Sequence, residues 1–107
     1  MKIKIYNKLV RDNIPEIIRG GGNDCVTEVL SDGEYLRALD SKLNEEMKEY
    51  TDSHDIEELA DILEVVYAAA GARGITRDAL EKIRTEKRRK NGGFEKKLFL
   101  KEVHEQQ

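Results

Sequence analysis

Chemistry in this sequence concentrates in two short acidic clusters, Glu45-Glu46-x-x-Glu49 and Glu57-Glu58-x-x-Asp61, separated by a polar turn from Thr51 to Asp55. Carboxylates three and four residues apart on one helix repel each other unless something neutralises them. Between Glu45 and Glu64 the chain holds nine acidic residues and a single basic one, Lys48, so little neutralisation comes from within the segment. The clusters must therefore be solvated or share a cation. A donor set made only of carboxylate oxygens suits Mg2+, which keeps several waters and is usually shared with substrate phosphates. The expectation is a magnesium site that handles the phosphates of a nucleotide.

Two helices must position those groups. Ser31 and Glu34 have the spacing of a capping box, and the helix behind them carries Leu36, Leu39, Leu43, Met47 and Tyr50 as one apolar stripe. At ~100° per residue, Glu46 lies roughly 40° from the centre of that stripe, Glu49 roughly 100° and Glu45 roughly 140°. Glu46 thus borders the core, Glu49 flanks it and Glu45 is expected to face solvent. After the turn, a helix from Ile56 to about Ala72 is apolar almost all round and is expected to be buried on most sides. Its plainly polar strip is Glu57 with Glu64, whereas Glu58 and Asp61 share a sector with Ile62, Val65, Ala69 and Ala72. Unpaired carboxylates in such a sector cost several kcal/mol or shift their pKa. Helices joined by so short a turn are expected to be antiparallel neighbours, which lets Glu46, Glu49, Glu58 and Asp61 converge.

The flanking segments read as supports. Residues 1–11 alternate and then turn basic, giving a short strand or an extended arm; a brief helix follows from Ile14 to Arg19, stopped by Gly20 to Gly22. Cys25 to Leu30 reads as a weak strand or a connector. Thr76 caps a further helix ending in Lys87, Arg88, Arg89 and Lys90, before Asn91-Gly92-Gly93 terminates it. Phe94 and Leu98 to Leu100 are expected to dock on the body as a tail, with His104 to Gln107 frayed.

One domain covering residues 1–107 is expected, all-α, an antiparallel bundle of about four helices with short extended arms at both ends. A helical chain this rich in charge is expected to complete its core by oligomerisation. The lone Cys25 allows no internal disulfide, and neither a signal peptide nor a span of ~20 apolar residues is visible, so a soluble cytoplasmic protein is expected. The net charge of -3 offers no overall attraction for nucleic acid. The basic groups instead sit at the two ends, where they can meet a small polyanion.

Glu-x-x-Glu at 46 and 49 followed by Glu-x-x-Asp at 58 and 61 resembles the signature of the MazG-like, all-α nucleoside triphosphate pyrophosphohydrolases, a superfamily that includes phosphoribosyl-ATP pyrophosphohydrolase. Lys8-Leu9-Val10-Arg11-Asp12 with Ile14-Pro15-Glu16-Ile17-Ile18 is similar to the start of one subgroup of small members, and Lys87 to Phe94 to its close. The resemblance runs nearly the whole chain, in order. It implies hydrolysis of the α–β phosphoanhydride of a nucleoside triphosphate to nucleoside monophosphate and pyrophosphate, as in the house-cleaning of modified or surplus nucleotides. It also implies Glu46, Glu49, Glu58 and Asp61 as ligands of Mg2+, with Mn2+ a possible substitute. Glu46 or Glu49 would be the general base on the attacking water, and Lys8, Arg11, Lys87 and Lys90 the phosphate contacts. A homodimer or dimer of dimers with the active site built between subunits is implied as well. The subgroup carries Arg before Gly-Gly-Phe where this chain has Asn91, so that contact falls to Lys90 or Arg89.

Two other readings stand beside it. One is phosphoribosyl-ATP hydrolysis in histidine biosynthesis, against which the amino-terminal arm counts. The other is a non-catalytic helical oligomerisation or RNA-binding module, in which the clusters are solvated faces, Glu58 merely closes a capping box with Asp55, and Lys87 to Lys90 only suit a helix C-terminus. No aromatic residue interleaves Lys87 to Lys90, as a nucleic-acid surface would require.

Overall fold

Capping chemistry sets the helix boundaries. In the computed structural model, which describes residues 2–106, the chain forms α1 (Ile14–Gly20), α2 (Asp32–Ser53), α3 (Ile56–Ala72) and α4 (Arg77–Asn91). Met1, at the head of the expected arm, and Gln107, at the end of the expected frayed tail, lie outside the described residues. Ser31 closes a full capping box: its hydroxyl accepts from the Glu34 N–H and the Glu34 carboxylate accepts from the Ser31 N–H at 3.1 Å. His54 ends α2 in the left-handed region with φ 59°. Asp55 opens α3 without a side-chain cap bond, and its own N–H donates to Ser53 Oγ instead. Glu58 is therefore not spent on closing a capping box with Asp55. Thr76 Oγ1 accepts from the Ala79 N–H to start α4, and Gly92, with φ 86°, ends it.

All-α is the class the chain adopts, with no strand among the described residues. The alternation around Ile3 and Ile5 makes an extended arm, bent at Asn7 (φ 46°), and Cys25 to Leu30 is an extended connector. Neither segment finds a neighbouring edge to pair with. No described helix is long and apolar enough to cross a membrane.

The core is thin. α2 packs on α3, and α3 meets α4, yet Leu39 at 2% exposure and Val65 at 8% are the described apolar side chains that are fully buried. The radius of gyration is 19.0 Å, against about 13 Å for a compact chain of this length. Two expectations fail for this reason. α3 is not buried on most sides: Ile56, Leu59 and Leu63 (48% exposed) lie open on the half of their strip that precedes α4's cover. The covered half is marked by the Arg77 guanidinium stacked 4.1 Å from the centre of the Tyr67 ring. The tail does not dock either, since Phe94 is 97% exposed and Leu98, Phe99 and Leu100 are similarly open. An Arg88–Glu95 ion pair at 2.5 Å ties the tail to the end of α4, and the Lys97 N–H bonded to Phe94 O closes a turn within it.

Leu39 sits where α2 meets α3, so Leu39→Ala should cost ~2–5 kcal/mol, and Ser31→Ala only ~1 kcal/mol. Urea unfolding followed by circular dichroism would measure both; an equal loss would show that the cap, not the core, holds α2.

Candidate metal centre

Helix geometry sorts the carboxylates, and packing then decides what each one meets. α2 and α3 bring Glu46, Glu58 and Asp61 together, one carboxylate oxygen from each lying within 4.8 Å of the others. Glu46 is the buried member, 6% exposed, because it shares the face of α2 that carries Leu39. Its Oε1 receives the Lys42 ammonium at 3.2 Å, while Oε2 is buried with no hydrogen-bond partner. An unsatisfied buried acceptor costs roughly 1–3 kcal/mol, and more when it carries charge. Glu58 and Asp61 are half-buried.

Glu49, the fourth expected ligand, stands exposed on α2 and outside that convergent trio. It still borders the site, since its carboxyl acts on both Glu46 and Glu58. Burial pushes the Glu46 pKa up, and the neighbouring Glu49 adds to this against the opposing pull of Lys42. Desolvation also raises Glu58, reinforced by Asp61 and Glu46. Crowded carboxylates that resist ionisation are what a cation between them would relieve.

Three cations reach this end of the molecule. Arg11 Nη2 donates to Asp61 Oδ1 at 2.6 Å, across fifty positions of sequence. Lys8 Nζ donates to Glu45 Oε1 at 3.0 Å, and Lys42 holds Glu45 Oε2 at 3.4 Å. Glu45 is thus half-buried between two ammonium groups, not turned to solvent as its wheel position suggested. Desolvation would raise its pKa, but Lys8 and Lys42 together bring it below the usual carboxylate range. The bond to Glu45 in turn raises Lys8. Beside the carboxylates lies a cavity of about 300 Å³ roofed by Leu9, Val10, Arg11 and Asp12, with Tyr35, Lys42, Glu46 and Asp61 among its walls.

Lys87 and Lys90 stand exposed on α4 and do not line this cavity. Within one chain the structure therefore joins Glu46, Glu58 and Asp61 with Arg11, sets Lys8 and Glu49 at the border, and leaves Lys87 and Lys90 apart. Lys42 was missed by the sequence reasoning. Its signal was present, because a lysine three and four residues before Glu45 and Glu46 falls on their side of a helix. The residues present fit a magnesium ion: every donor is oxygen, and Glu46 has one oxygen buried without a partner.

No protein-family profile matches the chain, and no solved structure matches it. One segment of 42 residues is 57% identical to an uncharacterized protein of Mycolicibacterium smegmatis, covering 39% of this chain and 43% of that protein. The match spans less than half of that relative's length, and the likeness is confined to the segment.

A raised pKa in the fold means that Glu46 keeps its proton where the unfolded chain has lost its own. Its contribution to stability therefore falls as pH rises from the ordinary carboxylate range through the raised one. In metal-free buffer, Glu46→Gln should flatten that decline in urea midpoints measured across the acid range. Superimposable pH profiles for the two proteins would show that Glu46 titrates normally.

Proposed function

We propose that this chain is a magnesium-dependent nucleoside triphosphate pyrophosphohydrolase of the MazG-like all-α superfamily, cleaving the α–β phosphoanhydride to nucleoside monophosphate and pyrophosphate. The observation that carries this reading is the buried, half-unpartnered Glu46 carboxylate at the meeting point with Glu58 and Asp61. A solvated acidic face has no reason to bury one of its members.

Glu46, Glu58 and Asp61 would hold the ion, with Glu49 at its border. Bound magnesium supplies neutralisation of phosphate charge and a more acidic water. Glu49 is the better general base of the two candidates, because it is exposed beside the trio and can take the proton of the attacking water, whereas Glu46 is locked between the core and Lys42. Arg11 and Lys42 face the cavity and stabilise charge on the leaving pyrophosphate. The oxygen-only donor set would accept Mn2+ in place of Mg2+.

Two structural features support the finer architecture. α2 and α3 are joined by His54 and Asp55 alone, pack on each other, and bring Glu46 near Glu58 and Asp61. Packed helices joined by so short a turn favour an antiparallel pair. The open apolar strip of Ile56, Leu59 and Leu63, in a subunit with so little core, supports association of two copies or of a dimer of dimers. Lys87 and Lys90 then serve the site of a second copy.

Pyrophosphate release with Mg2+ should be detected when normal and modified nucleoside triphosphates and phosphoribosyl-ATP are screened. Folded protein that releases none from any of them would refute the enzymatic reading. Asp61→Asn should abolish turnover with unchanged helical content; surviving activity would remove Asp61 from the ligand set. Sedimentation velocity at micromolar concentration should show dimers or larger species, and a monomer throughout would leave Lys87 and Lys90 without a role at the site.

A further inference from the structure

The arm reaches the carboxylates through charge. Two ion pairs tie it down, Lys8 to Glu45 and Arg11 to Asp61, while Leu9 and Val10 between them roof the cavity. Upstream of both pairs the backbone bends at Asn7 (φ 46°), and Ile14 N–H bonds to Arg11 O just before α1. The strap is therefore held to the body by these two ion pairs and the Leu9-Val10 roof, and Arg11 is its last charged contact above the site. Arg11 neutralises the same Asp61 that the proposed magnesium site needs as a ligand. A guanidinium bonded to Asp61 at 2.6 Å competes with a divalent ion for the charge of that carboxylate and so weakens it as a ligand.

We infer that Arg11 is an exchangeable partner of Asp61: a divalent cation entering among Glu46, Glu58 and Asp61 frees the guanidinium, which then closes the strap on the phosphates of the incoming nucleotide. This inference rests on the proposed magnesium-dependent function and adds an order to it, cation first and nucleotide second. The supporting features are independent of one another. Arg11 lines the cavity, so it has somewhere to turn. Its pair with Asp61 is about half exposed, with side-chain exposures of 56% and 40%, so breaking it costs little. Lys8 pairs with Glu45, which is not one of the trio, so the strap stays tethered while Arg11 changes partner. A guanidinium is also suited to the task, because its planar fork matches a phosphate as well as a carboxylate.

The test uses the full chain and begins with Mg2+ alone. Calorimetric titration should show Arg11→Gln binding Mg2+ about two- to fivefold more tightly than wild type, the range that a half-exposed ion pair supports. The Arg11 side-chain Nε–H signal in a proton–nitrogen NMR spectrum, assigned by its loss in Arg11→Gln, should leave its ion-paired position when Mg2+ is added, which reports release, and recover a hydrogen-bonded position with a non-hydrolysable nucleoside triphosphate. Equal Mg2+ affinity in the two proteins would overturn the exchange while leaving the metal site intact. Mg2+ binding to neither would overturn the exchange together with the metal reading. Release by Mg2+ without recovery on nucleotide would overturn the closing step.

Discussion

Glu46 cannot leave the interior of this molecule without taking Leu39 with it. The two residues are seven apart on α2 and so almost in line along one face, and Leu39 is the most deeply buried side chain described. Turning the helix to solvate the carboxylate would expose the residue that holds α2 to α3. The fold is thus committed to a charged or protonated oxygen in a poorly solvated place, and neighbouring groups are arranged around it. Lys42, one turn earlier, takes one oxygen, the other has no partner, and the carboxylate as a whole lies beside Glu58 and Asp61 of α3. The rise in the Glu46 pKa is the electrostatic expression of the same constraint.

That constraint also explains where the positive charge comes from. Lys48, the one basic residue of the acidic segment, is occupied with Asp52 at 2.8 Å and contributes nothing to the site. Neutralisation has to be imported, from the preceding turn of α2 through Lys42 and from the amino-terminal arm through Lys8 and Arg11. The arm forms no strand ladder and keeps Ile3, Ile5 and Tyr6 exposed. Its position near α2 and α3 follows from charge and the short Leu9-Val10 roof. An arm held this way can respond to whatever else carries charge into the site.

Much of this was legible in the sequence, and the failures share a cause. Ser31 with Glu34, Thr76, and Asn91 before Gly92 define helix ends by local chemistry, which is why the boundaries could be read from short windows. Glu46, Glu58 and Asp61 separated from the solvated acids because helical periodicity is also local. Glu45 was misplaced because its partner Lys8 is 37 positions away, and no helical wheel includes a residue from another segment. Lys42, by contrast, carries a local signal, because it lies three and four residues before Glu45 and Glu46 on one side of α2. For the apolar strip of α3 and for the tail, hydrophobic pattern states that a side chain favours burial, never against which surface. In this chain alone, those surfaces stay uncovered.

The two sides of α3 then divide the work. Asp61, Val65 and Ala68 line the cavity, while Ile56, Leu59 and Leu63 fall on roughly the opposite side of the same helix by the ~100° rule. α4 packs on the far portion of that second side, where Arg77 stacks on Tyr67. Lys87 and Lys90, near the other end of α4, are exposed and take no part in the cavity wall. A contact that covered Ile56, Leu59 and Leu63 would bury the apolar strip without touching the carboxylate trio. Such a contact would deepen the thin core while leaving the proposed metal-binding face open.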